Sequence, residues 1–369
     1  MEPVPFDAFL SYTHEDNARG GGRILALSNA IKDEFALTTG DELEVFVDRD
    51  SISWGDRWRD AITSAVGSVP FFIPIVTPKY IRSAECRKEL IQFYGQASSQ
   101  GLDRLLLPIM FIDTPSVVED SDDEVCAILA RSQWVDWRSH RLANANSPEV
   151  LRAVNELALR LRDLKAEAKT IAVVATPINE ADSSANLKEV IREIDDRLPT
   201  WMESVEFDRV ARKYWQSSLD VRLERISRLR AQHAPQSAIF ATLLQLGSEL
   251  LPIAENRLAK AQSYARLTIE LDPFVNAAIR SVTENPQNAH LLNSLRDGIN
   301  EAYLNIEPPD ADKSSYGLPN GIARANKRIE AANAVVQGSL QYANDGNEVV
   351  LSWRERLMRL EFEPVLPLL

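Results

Sequence analysis

Between Lys79 and Gln92 the chain reads KYIRSAECRKELIQ, which brings a serine, a cysteine and two glutamates into one short stretch. Ser83 has the residue type and place of a helix N-cap, where a hydroxyl accepts from an orphan N–H of the first turn. Glu85 and Glu89 are four residues apart, so both carboxylates leave one face of the helix that Ser83 opens. Cys86, Leu90 and Phe93 keep the spacing of a face turned to a core. The run before them, PFFIPIVTP, reads as a buried strand with proline boundaries. A carboxylate on a helix just beyond the carboxyl end of such a strand stands where open α/β sheets bind ligands. Glu89 is therefore the first candidate for chemistry. The same pattern also fits a first-turn glutamate held by the helix dipole.

The elements that must position Glu89 follow from the rest of the first half. Phe6 to Tyr12 (FDAFLSY) reads as a buried strand, and Leu43 to Val47 (LEVFV) as a second. Phe71 to Val76 is continuously apolar, as a central strand of a parallel sheet is. Leu105 to Phe111 and Trp134 to Trp137 supply a fourth and a fifth. Helical spacing falls between them at Ile24 to Phe35, around Trp58, Ile62 and Val66, after Ser83, and at Glu149 to Leu164. THEDNARGGGR and the acidic run from Asp113 to Glu124 read as polar loops; the adjacent glycines match neither a Walker pattern nor a dinucleotide fingerprint. Strand and helix alternate five times, the signature of an open, mostly parallel α/β sheet. Ser11, Tyr12 and Thr13 end the first strand and so border its ligand crevice.

From about Thr170 the pattern changes. TIAVVATPI fits one short strand or a linker, and helical periodicity then takes over, with stripes at Leu219, Leu223, Ile226 and Leu229 and at Leu243, Leu246, Leu250 and Ile253. Pro199, Pro235, Pro252, Pro273 and Pro286 punctuate or kink these helices. A turn-rich segment, EPPDADKSSYGLPNG, precedes two last helices at Ile322 to Tyr342 and Glu348 to Leu360. The expected division is a sheet domain over 1–165, a linker over 166–183 and an all-α domain over 184–369. No fixed repeat period and no constellation of metal ligands or nucleophiles marks this second half.

The 369 residues suit two domains, and 45% hydrophobic with 26% charged content is that of an ordinary globular chain. A formal charge of −13 argues against a general nucleic-acid surface and against an anionic membrane, while leaving room for a local basic site. Two cysteines and four scattered histidines give no zinc spacing and no disulfide framework, so no metal is expected. No apolar run approaches the roughly 18–20 residues of a spanning helix, and MEPVPFD lacks the features of a secretory signal. The expectation is a cytoplasmic protein.

Taken together, FDAFLSYTHED, VFVDRDSISWGDRW, the Ser83, Cys86 and Glu89 spacing, and QWVDWR resemble the Toll/interleukin receptor (TIR) domain, particularly its bacterial branch. The resemblance covers roughly residues 4–165. It implies a flavodoxin-like sheet of five parallel strands. It also implies an activity, because many TIR domains cleave the bond between nicotinamide and ribose in NAD+, and Glu89 matches their catalytic glutamate. NAD+ would then be the substrate, with no cofactor. VFVDRDSISWGDRW matches the family's BB loop, in which Arg49 could pair with a pyrophosphate or with Asp48 or Asp50. That loop also packs against a neighbouring protomer in the family, so self-association is implied.

Active relatives often carry tryptophan just before the cysteine, where this chain has Glu85. Tyr80, Tyr12 and Trp54 are the aromatic residues that could replace it, and Ser83 completes the expected substrate-binding set. The helical part resembles no family, and regulation, by an unidentified trigger or by holding TIR domains together, is its expected role. The resemblance thus points to an NAD+ glycohydrolase activated by assembly, of the kind that acts in bacterial antiphage defence by hydrolysing NAD+ or releasing a cyclised ADP-ribose. The alternative is a non-catalytic interaction module.

Overall fold

The computed structural model describes residues 7–47, 71–174, 180–306, 318 and 320–360. The loop carrying Arg49, Trp54 and Gly55, the helix expected around Trp58, and nearly all of EPPDADKSSYGLPNG lie outside the described residues. The chain divides into two compact units, Met1–Ala185 and Asn186–Leu369.

In the first unit, five parallel strands stand in the order β2-β1-β3-β4-β5: β1 Ala8–Ser11, β2 Val45–Phe46, β3 Phe71–Val76, β4 Ile109–Met110 and β5 Val135–Asp136. β1 pairs with β3 over its whole length, Ala8 against Phe71 through Ser11 against Pro74. That register brings the carboxyl end of β1 beside the middle of β3. The order reverses direction between β1 and β3, where an open α/β sheet forms its ligand crevice. Phe9 stacks on Phe46 and on Phe72, and Phe72 stacks on Phe93, so one aromatic column joins three strands to the helix behind them.

Helices α1 (His14–Arg19), α2 (Arg23–Thr39), α3 (Ala84–Ser98), α4 (Glu124–Arg131) and α5 (Pro148–Val174) complete this unit. One of them was read as loop from the sequence, and another, beginning at the end of the acidic run, was passed over. The first turn after β1 is α1, six residues too short and polar to show periodicity. The end of the acidic run is the N-cap of α4: Asp123 accepts from the Val125 N–H at 3.0 Å. Its helix, EVCAILAR, is only eight residues long, with Glu124 to Leu129 all buried. Thr170–Val174, read as a strand or linker, continues α5 as helix.

The second unit holds α6 (Glu180–Ala231) from Asn186 onward, with α7 (Gln236–Glu284), α8 (Asn293–Asn305), α9 (Asn320–Ala323) and α10 (Lys327–Arg359), joined by short turns or by segments outside the described residues. Pro199, Pro252 and Pro273 lie inside helices rather than ending them. The two last helices expected from the sequence are one, α10, continuous through Ala343 to Asn347. Leu219 and Ile226 of α6, Leu246 and Leu250 of α7, and Ile329 and Val336 of α10 share one core, so both predicted stripes face inward. A second layer holds Trp201 and Trp353, whose indole N–H groups donate to Thr268 Oγ1 at 2.9 Å and Asp272 Oδ1 at 2.6 Å. Contrary to the sequence expectation, α7 contains an 18-residue window of mean hydropathy 1.4, long and apolar enough to cross a membrane by length and composition. Leu246 and Leu250 of the same helix are packed on α10.

Candidate functional site

Ser83 caps α3, accepting from the Cys86 N–H at 3.3 Å. With the helix start fixed there, Cys86, Leu90 and Phe93 turn inward and are buried, while Glu85 and Glu89 face the other way. Glu85 is exposed and Glu89 half-buried. Both line a cavity of about 930 Å³, within the ordinary range of small-molecule sites.

The opposite wall is the end of β1 and the turn into α1: Ser11, Tyr12, Thr13, His14, Glu15 and Asp16. Ser11 is 1% exposed, a hydroxyl at the end of an otherwise apolar strand. It donates to Glu89 Oε2 at 2.5 Å, the contact that ties β1 to α3 at the cavity wall. Tyr80, on the 3₁₀ turn Tyr80–Arg82, has its hydroxyl 3.1 Å from Ser11 Oγ and 3.4 Å from the Cys86 carbonyl. Asp16 Oδ2 accepts from Thr13 Oγ1 and from Thr77 Oγ1, each at 2.5 Å, and Thr77 Oγ1 in turn accepts from the Tyr80 N–H at 3.0 Å. Carboxylate and hydroxyl alternate through this wall, so its polar groups are mutually satisfied before any ligand arrives.

Charge is mixed at the rim. Lys79 and Arg19 both pair with Glu15, and Arg82 is held by a bond from its Nε to the Pro78 carbonyl at 3.0 Å. All three cations line the cavity of a chain whose net charge is −13. Burial pushes the Tyr80 phenol well above its usual range, with the neighbouring Glu89 carboxylate adding to the effect. Burial, with the Glu89 charge adding to it, likewise pushes the Cys86 thiol up to about 12. Cys86 is therefore a neutral, buried thiol.

Of the expected site residues, the structure brings Ser11, Tyr12, Thr13, Ser83 and Glu89 together around one cavity. Tyr80 stands behind the wall with its ring wholly buried, so no face of it is open for stacking. Arg49 and Trp54 lie outside the described residues. His14, also on the cavity wall, sits edge-on to Tyr12 with ring centroids 5.2 Å apart. Sequence reasoning passed over Asp16 and Arg87. Arg87 donates to both oxygens of Asp123, at 2.7 and 2.9 Å, and to the Ile81 carbonyl at 3.1 Å, fastening α3 to the 3₁₀ turn and to α4. An arginine at the inward spacing of Cys86 and Leu90 was the available signal. Among the described residues no group of three or more His, Cys, Asp or Glu side chains is placed to hold a metal ion.

Residues 9–152 match the family model described as the TIR domain, so the first unit carries a TIR domain, and a helical unit lies beyond the match. No curated protein and no solved structure matches the chain.

Proposed function

We propose that this TIR-domain protein is an NAD+ glycohydrolase that cleaves the nicotinamide–ribose bond, with Glu89 as its catalytic residue. The observation that supports the reading is the Glu89 carboxylate on the wall of the cavity at the end of β1, oriented by Ser11. An ordinary glycosidase needs a second carboxyl group to protonate the departing oxygen. Nicotinamide in NAD+ is already a cationic pyridinium; it takes the bonding electron pair and leaves neutral without a proton. Positive charge develops on the ribose C1, and a fixed carboxylate beside that carbon stabilises it. Water adding to C1 with loss of a proton yields ADP-ribose, whereas attack from within the same molecule yields a cyclised product. Lys79, Arg82 and Arg19 at the rim suit the anionic pyrophosphate of a dinucleotide.

The resemblance to bacterial TIR domains supports the remainder of the reading: a cytoplasmic enzyme of antiphage defence, whose site is completed by the BB-like loop of a second copy and whose helical unit governs assembly. Bringing that loop to the cavity would act as a large effective concentration. A second reading, an interaction module without catalysis, draws support from Glu85 at the position where active relatives often carry tryptophan.

NAD+ consumption by size-separated fractions of the purified full chain, with and without an activating lysate, tests the proposal beside Glu89→Gln. The expected result is turnover in assembled fractions that Glu89→Gln lowers by about 100-fold or more, with assembly unchanged. Unchanged turnover in the variant overturns the assignment of Glu89. Absence of turnover in every assembled state favours the interaction module.

A further inference from the structure

Two hydroxyls beside Glu89, those of Ser11 and Tyr80, are almost wholly buried. Ser11 has a single hydroxyl proton, and the 2.5 Å contact commits it to Glu89 Oε2. Ser11 Oγ then keeps only lone pairs for the Tyr80 hydroxyl, so Tyr80 is the donor in that pair, and at 3.1 Å Ser11 is a nearer acceptor than the Cys86 carbonyl at 3.4 Å. The phenol can serve as a permanent donor because its burial holds the proton on. Its ring is locked as well: the backbone N–H is fixed by Thr77 Oγ1, which Asp16 fixes in turn.

We propose that Tyr80 and Ser11 are positioning residues for Glu89, a two-hydroxyl chain from Tyr80 through Ser11 to Oε2 that sets the orientation of the carboxylate facing the cavity. The inference rests on the reading of Glu89 as the catalytic group, and it takes Ser11 and Tyr80 out of the set that contacts substrate. A half-buried glutamate on a helix surface has several rotamers open to it, and fixing one of them before the ligand binds is the function of the chain. The hydroxyl–carboxylate bond is charge-assisted and its acceptor is the group that must stay aligned, so its loss acts on the chemical step rather than on binding.

The test has a kinetic and a spectroscopic arm, both on the full chain. In NAD+ turnover below the unfolding range, Ser11→Ala is expected to lower kcat between about 10- and 100-fold with KM within about twofold, the range of one charged hydrogen bond. Tyr80→Phe is expected to lower it less, and the double variant to match Ser11→Ala, because removing Ser11 already breaks the chain. A raised KM with kcat retained overturns the proposal, since it would make Ser11 a substrate contact. Additive losses in the double variant overturn it as well. The second arm needs no turnover: the Tyr80 hydroxyl proton, identified in the proton NMR spectrum by its loss in Tyr80→Phe, is expected to shift in Ser11→Ala and in Glu89→Gln. An unmoved resonance overturns the chain itself, whereas a shifted resonance without NAD+ turnover upholds the chain and counts only against the proposed activity.

Discussion

Arg87 and Asp123 meet as a two-pronged pair, 2.7 and 2.9 Å, with the guanidinium 1% exposed and the carboxylate simultaneously capping α4. This pair is the fixed point of the helix that bears Glu89. It anchors the second turn of α3 to α4 from behind while Ser83 holds the first, so the face carrying Glu89 cannot roll.

Replacing Arg87 with alanine should be severe. It leaves the buried Asp123 carboxylate without its guanidinium partner, and breaking a buried pair on one side costs about 3–5 kcal/mol. Chemical denaturation of the full chain should show the loss in the transition of the N-terminal unit, with that of the helical unit unchanged. A midpoint within error of the wild type would contradict the role given to the pair.

Ser83→Ala should be milder. It removes one N-cap bond, worth about 1 kcal/mol, and should lower the melting temperature of a unit of this size by about 2–4 °C. Ser83→Asp should retain most of the stability, because aspartate caps as well as serine does. Calorimetry of the three proteins checks the order.

Cys86 should be inert. With its thiol pushed up to about 12 from an ordinary value of 9.0, it remains protonated in the folded protein at pH 8. Iodoacetamide at that pH should leave Cys86 unlabelled in the native chain and label it in urea, as read by peptide mass spectrometry. The linkage has a definite sign. A folded value above the unfolded one means that the folded state holds the proton longer, so its contribution is complete below pH 9 and is lost as pH rises towards 12. Cys86→Ala should flatten that part of the stability profile.

Gly346→Ala in α10 sets two effects against each other. Alanine in a helix interior gains about 1 kcal/mol over glycine. Here the new methyl would stand 2.6 Å from Cε1 of Tyr264, a ring 1% exposed and held by its hydroxyl to Asn347 Oδ1 at 3.0 Å. A ring so enclosed cannot swing aside, and overpacking costs about 1–3 kcal/mol. The substitution should therefore destabilise the helical unit, and a rise in its melting temperature would show that the core yields there.

The sheet was legible because Phe71 to Val76 is apolar without a break and because each strand is followed by punctuation. Ser83, Cys86, Leu90 and Phe93 were legible for the same local reasons, capping and period. What escaped was set by distant partners. Nothing around Arg87 announces Asp123, which lies 36 residues away in an acidic run that resembles solvent-facing loop. Tyr80 read as an aromatic beside the site because sequence gives its position and not the direction of its ring. The proline-interrupted helices α6 and α7 hold together through packing, which outweighs the local penalty that the sequence advertises.

Asp7 connects more of the molecule than its place before β1 suggests. Its carboxylate pairs with Lys165 of α5 at 2.6 Å and accepts the Glu44 N–H at 3.1 Å, while its carbonyl takes the Phe71 N–H at 2.8 Å. Lys165 also lies over the Phe35 ring. The outgoing helix of the N-terminal unit is thus buckled to the foot of the same four-residue strand whose head grips Glu89. Leverage applied to α5 would reach that grip through Asp7 and the backbone of β1.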